Sequence, residues 1–281
     1  MNPDPESDSN ADSSADSNTD SPLDSAVIVI HDLQTRFGKQ IVHDGVAFRI
    51  DAGELVAIIG GSGTGKSVLL RAIAGLQRPN GGQIRLLGES VWAQGADLAS
   101  VRRRIGMLFQ DGALFSSLTV AENVAIPLRE HTDLPADLIE QVVLLRLALA
   151  GLDEASAVKM PSELSGGMRK RAGIARALAL EPEVLFLDEP TSGLDPVTAR
   201  AFDQLMLSLN RDLGLTVLLV THDLDTLASI ASRIIVLGGG KVIVDGSLDE
   251  VMAHPDPWVQ SYFSTRPMTR PMSMGRKTRI R

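Results

Sequence analysis

The chain of 281 residues contains no cysteine. Disulfides and thiolate-bound metals are therefore excluded, and a reducing compartment fits. No apolar run approaches the ~18 residues that a membrane span needs. The first 25 residues carry no Lys or Arg and no apolar core, so they lack the marks of a secretory signal. A soluble or peripheral protein is expected. Heptads are missing as well, which leaves no long coiled coil.

Charge is unevenly placed within a net of -8. Residues 1–25 hold seven acids, Asp4, Glu6, Asp8, Asp12, Asp16, Asp20 and Asp24. Residues 266–281 hold six bases, Arg266, Arg270, Arg276, Lys277, Arg279 and Arg281, and no acid. The body between them is acidic, which argues against a nucleic-acid partner. Residues 1–25 are mostly Ser, Asp, Asn and Pro, too polar to offset chain entropy by burial. They are expected to form a disordered acidic tail, passive or regulatory, and residues 266–281 a flexible basic one. Residues 26–265 are expected to form one domain.

The strongest local signal is Gly60-Gly61-Ser62-Gly63-Thr64-Gly65-Lys66-Ser67, a match to G-x-x-x-x-G-K-[ST]. The apolar run Leu55–Ile59 precedes it and suits a buried parallel strand. Apolar residues at helical spacing follow from Ser67, with Gly75 as the stop. Glycines let backbone N–H groups turn toward phosphate oxygens with no Cβ in the way. The helix that follows points its positive end at the same oxygens. Lys66 adds a full charge at the β- and γ-phosphates, and the Ser67 hydroxyl is placed to ligate Mg²⁺.

Val27–Ile30, Gly45–Ile50 and Gln83–Leu86 read as a small, largely antiparallel sheet. Phe37 lies in the turn between the first two, either stacking on a base or serving as an ordinary Phe. Leu108-Phe109-Gln110 ends another apolar segment at a polar residue. Residues from about 111 to 165 read as a helical insertion. In it, Leu138, Ile139, Val142, Val143 and Leu147 predict an amphipathic helix over 136–150, capped by Gly151. Ser165 then caps a helix to about Leu180, and Gly166 and Gly167 are expected to leave its first N–H groups exposed. That makes a second anion site, far in sequence from the first and open to a different nucleotide.

Val184–Glu189 reads as a buried strand ending in two carboxylates. Asp195-Pro196 starts a helix with Phe202, Leu205, Met206 and Leu209 as its apolar stripe. Thr216–Val220 ends at Thr221-His222-Asp223. Two last strands flank Gly238-Gly239-Gly240 as a hairpin, and Ser247-x-x-Glu250 caps a short helix. The alternation predicts an α/β fold with a mainly parallel sheet and functional residues at strand C-termini.

In this order the motifs resemble the ATPase subunit of an ATP-binding-cassette (ABC) transporter, over residues 26 to about 250. The resemblance implies a P-loop NTPase core, a small antiparallel β subdomain and a helical insertion subdomain. Gly60 to Ser67 is similar to the Walker A loop, Gln110 to the Q-loop glutamine, and Leu164 to Met168 to the signature. Val184 to Asp188 resembles the Walker B strand, followed by a catalytic Glu189. Ser192 to Asp195 resembles the D-loop, His222 the switch histidine and Phe37 the A-loop aromatic. The cofactors implied by this resemblance are ATP and Mg²⁺. Asp188, Ser67 and Gln110 attend the metal, Lys66 the phosphates, Glu189 the attacking water and His222 the γ-phosphate. In such proteins Ser165, Gly166 and Gly167 complete the site of a second copy, so a head-to-tail dimer is implied. Met168 departs from the usual Gln, and a thioether is a poor acceptor.

A narrower resemblance rests on Met107 to Gln110, Gly112 to Phe115, Pro127 to Thr132 and Met160 to Met168. These stretches are similar to the ATPases of Mla phospholipid-transport systems, also called the toluene-tolerance or organic-solvent-resistance branch, where Met in the signature is usual. That implies an integral membrane permease, a small STAS-domain accessory protein and a membrane-anchored lipid-binding subunit as partners. It also implies a peripheral place on the cytoplasmic face of a bacterial inner membrane, and phospholipid traffic that keeps the outer membrane asymmetric. Two alternatives stay open, an importer ATPase for polar amino acids and a soluble cassette protein of translation or DNA repair. Ala113, Leu114 and Phe115 are three apolar residues in a linker. They form either a groove for the permease or a contact inside the helical insertion.

Overall fold

A computed structural model describes residues 25–94, 98–110 and 112–264. The expected tails, Ser25 apart, lie outside the described residues. The chain starts with strands β1 (Ala26–Phe37) and β2 (Gln40–Asp51), then β3 (Leu55–Gly60) and helix α1 (Lys66–Ile73). Strands β4 (Gly81–Leu86) and β5 (Glu89–Ser90), helix α2 (Leu98–Arg103) and strand β6 (Ile105–Leu108) follow. Next come α3 (Val120–His131), α4 (Ala136–Leu149), two short 3₁₀ turns and α5 (Gly166–Ala177). The second half alternates β7 (Val184–Asp188), α6 (Pro196–Leu213), β8 (Thr216–Val220), α7 (Leu224–Ile230) and β9 (Arg233–Gly238). It ends with β10 (Lys241–Gly246), α8 (Leu248–Ala253) and α9 (Pro257–Ser264).

Two sheets carry the fold. An antiparallel sheet runs β2-β1-β4-β5, and the core sheet runs β10-β9-β3-β8-β7-β6. All neighbours in the core sheet are parallel except the β9–β10 hairpin. The continuous apolar runs explain this, because both faces of β3, β7 and β8 are covered. Successive residues alternate between two cores. Ala57, Ile59, Leu185, Leu187, Val217 and Leu219 pack with the later helices. Val56, Ile58, Val184, Phe186, Leu218 and Val220 pack with α1 and the antiparallel sheet. Full burial of one such Ile or Leu contributes roughly 2 kcal/mol.

Helix α4 departs from the expected stripe. Its buried face is Ile139, Val143, Arg146 and Leu147, while Leu138 is 41 % exposed and Val142 only half-buried. Arg146 lies on that inner face, and its guanidinium bonds at 2.5 Å to Glu181, an exposed residue of the turn between α5 and β7. Helix α3 is not legible in the sequence, since Pro127 stands inside it and a proline normally ends a helical reading. A capping box between Thr119 and Glu122 starts it instead.

The linker after Gln110 is pinned from α3. Asn123, fully buried, accepts from the Phe115 N–H at 2.7 Å and donates to the carbonyls of Phe115, Leu118 and Thr119. Phe115 itself is 54 % exposed and Leu114 half-buried, so Phe115 does not pack inside the helical insertion. Asn123→Ala would leave the Phe115 N–H and the Leu118 carbonyl unmatched, while the Phe115 and Thr119 carbonyls keep backbone donors. A loss of about 3 kcal/mol in folding stability is expected. Urea denaturation of both proteins measures it, and an unchanged midpoint would show that water replaces the amide.

Candidate active site

The loop between β3 and α1 turns on glycines. Gly65 has φ +89°, and a Cβ on it would come within 2.3 Å of Val42 and 2.5 Å of the His43 imidazole. Residues 42 and 43 of β2 thus form the floor of the loop. Both His43 nitrogens are buried without a hydrogen-bond partner. Burial holds its pKa below the ordinary value, against the pull of the Gly65 backbone, so the ring is neutral under the loop. Lys66 folds back, donating to the carbonyls of Gly60 at 2.8 Å and Gly61 at 3.0 Å. Burial holds its pKa below the ordinary value, against the opposing pull of the Glu189 and Asp188 carboxylates.

Two short contacts assemble the chemistry. Ser67 Oγ donates to Asp188 Oδ1 at 2.8 Å, joining α1 to the end of β7. His222 Nδ1 lies 2.7 Å from Glu189 Oε2, joining the ends of β7 and β8. Adjacent parallel strands end side by side, which is why residues far apart in sequence meet here. A cleft of about 440 Å³ is lined by Lys66, Ser67, Gln110, Glu189, Ser192 and His222, among others. The Ser67 hydroxyl and Asp188 carboxylate are hard oxygen donors of the kind Mg²⁺ takes.

Glu189 is held in a left-handed conformation, φ +51°, unusual for a residue with a side chain. Its N–H donates to Val220 O at 2.9 Å, and its carbonyl accepts from Lys170 Nζ of α5 at 3.1 Å. These ties aim the carboxylate into the cleft. An exposed His222 completes the pair, and its own carbonyl accepts from the Tyr262 hydroxyl at 2.9 Å. Burial and the charges of Glu189 and Asp223 push the Tyr262 phenol far up, so it stays a donor. Trp258 stacks on Tyr262 with ring centroids 4.9 Å apart and sits against Gly61. Helix α9 therefore braces both the phosphate loop and the His222 loop.

Other expected residues lie elsewhere. Ser165 caps α5, accepting from the Met168 N–H at 3.2 Å, and lines a separate cleft with Gly167, Met168 and Thr198. Gly167 is buried and its missing Cβ makes room for Thr198, so close packing of α5 on α6 accounts for that glycine, not an exposed first turn. Asp195 caps α6, accepting from the Val197 and Thr198 N–H groups at 3.0 Å each. Phe37 ends β1, half-exposed. Within one chain, neither Ser165–Gly167 nor Asp195 lines the cleft that holds Lys66.

Residues 43–192 match the protein family described as ABC transporter. The intermembrane phospholipid transport system ATP-binding protein MlaF of Escherichia coli (strain K12) is 42% identical over 237 residues, covering 84% of this chain and 88% of MlaF. This chain belongs to the ABC transporter family. As such it is an ATPase subunit of a transporter. The methionine import ATP-binding protein MetN of Brucella abortus (strain 2308) is 44% identical over 237 residues, 84% of this chain and 64% of MetN. Among solved structures, a dimeric post-hydrolysis state of the ATP-binding cassette MJ0796, bound to ADP and Pi, aligns with a TM-score of 0.72. It is 34% identical and covers 79% of this chain and 98% of that one.

The family motifs do not contain Lys170, Val42, His43, Trp258 or Tyr262, and sequence reasoning missed them. One signal was there: the chain's single Tyr and one of its two Trp fall within 258–262. Tyr262→Phe removes only the hydroxyl that reaches His222. A net hydrogen bond of about 1 kcal/mol predicts roughly a fivefold lower kcat. The thermal midpoint should stay within about 3 °C of wild type. Steady-state ATPase assays beside a melt decide it; an unchanged kcat would mean that the tie does not reach the chemistry.

Proposed function

We propose that this ABC ATPase powers phospholipid transport between membranes, as the motor of an Mla-type complex. One observation carries the motor: the Ser67–Asp188 and Glu189–His222 contacts converge on the cleft in front of Lys66. Residues Gly60 to Ser67 cradle the ATP phosphates through their N–H groups and the α1 N-terminus. Phe37 stacks on the adenine. Ser67, Asp188 and Gln110 hold Mg²⁺, which supplies charge neutralisation at the phosphates when bound. Glu189 orients a water and takes its proton, while His222 holds the γ-phosphate and Lys66 offsets the charge that develops there.

Ser165 and Gly167 line a different cleft, and Gly166 and Asp195 are absent from the one that holds Lys66, so in this reading all four serve the ATP of a second copy in a head-to-tail dimer. The MJ0796 cassette, a dimer with ADP and Pi, supports that arrangement. The phospholipid reading is supported by MlaF similarity across most of both chains. MetN proteins of similar identity support a methionine-type importer as the second reading. Among the described residues no helix is long and apolar enough to cross a membrane. The partners in this reading are an integral permease, a STAS-domain protein and a membrane-anchored lipid-binding subunit, with this chain peripheral on the cytoplasmic face of the inner membrane.

Mixing Lys66→Ala subunits with Ser165→Arg subunits tests the shared site. Each homodimer should be inactive. A mixed dimer has one site with both lesions and one with neither, so about half of wild-type activity per mixed dimer is expected. Demonstrated mixed dimers without recovery would rule out a site built from two copies.

The exposed Phe115 is proposed to seat in the permease. Phe115→Asp should leave the melt of the isolated subunit unchanged, since the side chain is not core. It should abolish co-purification with the permease, because a charge would be buried unpaired at the contact. Wild-type complexes isolated the same way should carry bound phospholipid. A methionine permease in their place would favour the second reading, and retained co-purification of the variant would move the contact elsewhere.

A further inference from the structure

Behind the Glu189–His222 pair, three polar side chains are buried in an otherwise apolar layer. They are Thr191 after β7, Asp203 on α6 and Thr226 on α7, none more than 5 % exposed. Thr226 Oγ1 donates to Asp203 Oδ2 at 3.2 Å. It also lies 3.3 Å from Thr191 Oγ1. With its proton given to Asp203, Thr226 accepts from Thr191, so the chain of donors runs Thr191 to Thr226 to Asp203. The other oxygen, Oδ1, is buried with no hydrogen-bond partner. Phe202, Met206, Leu224 and Leu227 belong to the same core cluster.

A carboxylate in this place would be a nearly unpaired buried charge, which proteins avoid by neutralising it. The surrounding charges agree. Burial pushes the Asp203 pKa up to about 7; Asp223 and Asp225 of α7 push the same way, and the Thr226 hydroxyl and Arg200 pull back. Three elements meet at this carboxyl. Asp195 caps helix α6, α7 starts two residues past His222, and Thr191 is two residues past Glu189.

We propose that Asp203 is a positioning residue of the ATPase site: as a neutral acid it accepts the Thr226 hydroxyl at the end of the Thr191–Thr226–Asp203 chain without burying a charge, and so fixes the Glu189 and His222 loops relative to each other. Loss of the proton places a charge between α6 and α7, and both loops loosen. The direction with pH is set by this shift. An acid whose pKa is raised by folding binds a proton that the unfolded chain lacks, between its ordinary value and about 7. Its contribution is therefore present on the acid side, is lost as pH rises through about 7, and changes no further above it.

The test uses the full-length protein as wild type, Asp203→Asn and Thr226→Val. Asn keeps the acceptor and the volume but cannot ionise. ATPase kcat and thermal midpoint are measured from about pH 5.5 to about pH 8.5. The ratio of Asn variant to wild type should rise several-fold in kcat across neutrality, because other titrating groups cancel in the ratio. Thr226→Val keeps the volume but breaks the chain, so its kcat should fall several-fold at every pH, and Thr226→Ser should restore it. Infrared spectra of the wild type at about pH 6 should show a protonated carboxyl band that Asp203→Asn lacks. A ratio flat with pH, or a Thr226→Val kcat equal to wild type at every pH, overturns the proposal. Should the Asn variant fail to fold, the Thr226→Val and Thr226→Ser pair decides alone, in the same two directions.

Discussion

The site depends on one backbone constraint, the left-handed turn at Glu189 that ends β7. Such a conformation costs on the order of 1 kcal/mol for a residue with a Cβ. It persists because its surroundings fix it from several sides. The N–H is held by β8 at Val220, and the carbonyl by Lys170 reaching over from α5. Were Glu189 to continue the strand, its side chain would follow the alternation of β7 into one of the two cores, where a carboxylate cannot stay. The turn instead sends it to His222. Lys170 belongs to the helix that Ser165 caps, so the cleft of Ser165 and the acid in the other cleft are linked inside one chain.

The phosphate loop was legible in the sequence because a strand, a glycine-rich turn and a helix each leave their own pattern. The strands β3, β7 and β8 were, because burial on both faces demands unbroken apolar runs. Gly167 falls in the right stretch for an incomplete reason: its missing side chain admits Thr198, a neighbour 31 residues on that no local pattern names. Arg146 was invisible for a related reason. A charged residue inside a helical stripe reads as an outer-face residue unless its partner, Glu181, is known to lie opposite. Helix α9 was missed although Asp256-Pro257 repeats the start signature of α6, Asp256 accepting from the Trp258 and Val259 N–H groups at 2.9 and 3.1 Å, and its aromatics matter only through tertiary contact.

The match to the ABC transporter family ends at Ser192. Some of what braces the site lies beyond that point: the Tyr262 hydroxyl on the His222 carbonyl, and Trp258 stacked on Tyr262 and set against Gly61. Motifs mark the groups able to touch nucleotide. The groups that hold those in position touch only protein, so many side chains can fill that task, and a pattern tuned to shared chemistry passes over them.

Electrostatics ties these layers together. Asp188, Glu189, Asp203, Asp223 and Asp225 gather at one end of the sheet. Their mutual influence reaches Lys66, Tyr262 and one another. ATP brings still more negative charge to this place. The loop N–H groups, the start of α1 and Lys66 oppose it, but Lys66 is already engaged by two carbonyls and drawn toward two carboxylates. One further ionised acid behind the cleft would raise the repulsion that these groups must overcome, in a medium where charges are poorly screened. Keeping Asp203 neutral removes that charge and keeps its hydrogen bond to Thr226. The buried carboxyl thus joins the two loops mechanically without adding to the negative field into which the nucleotide must bind.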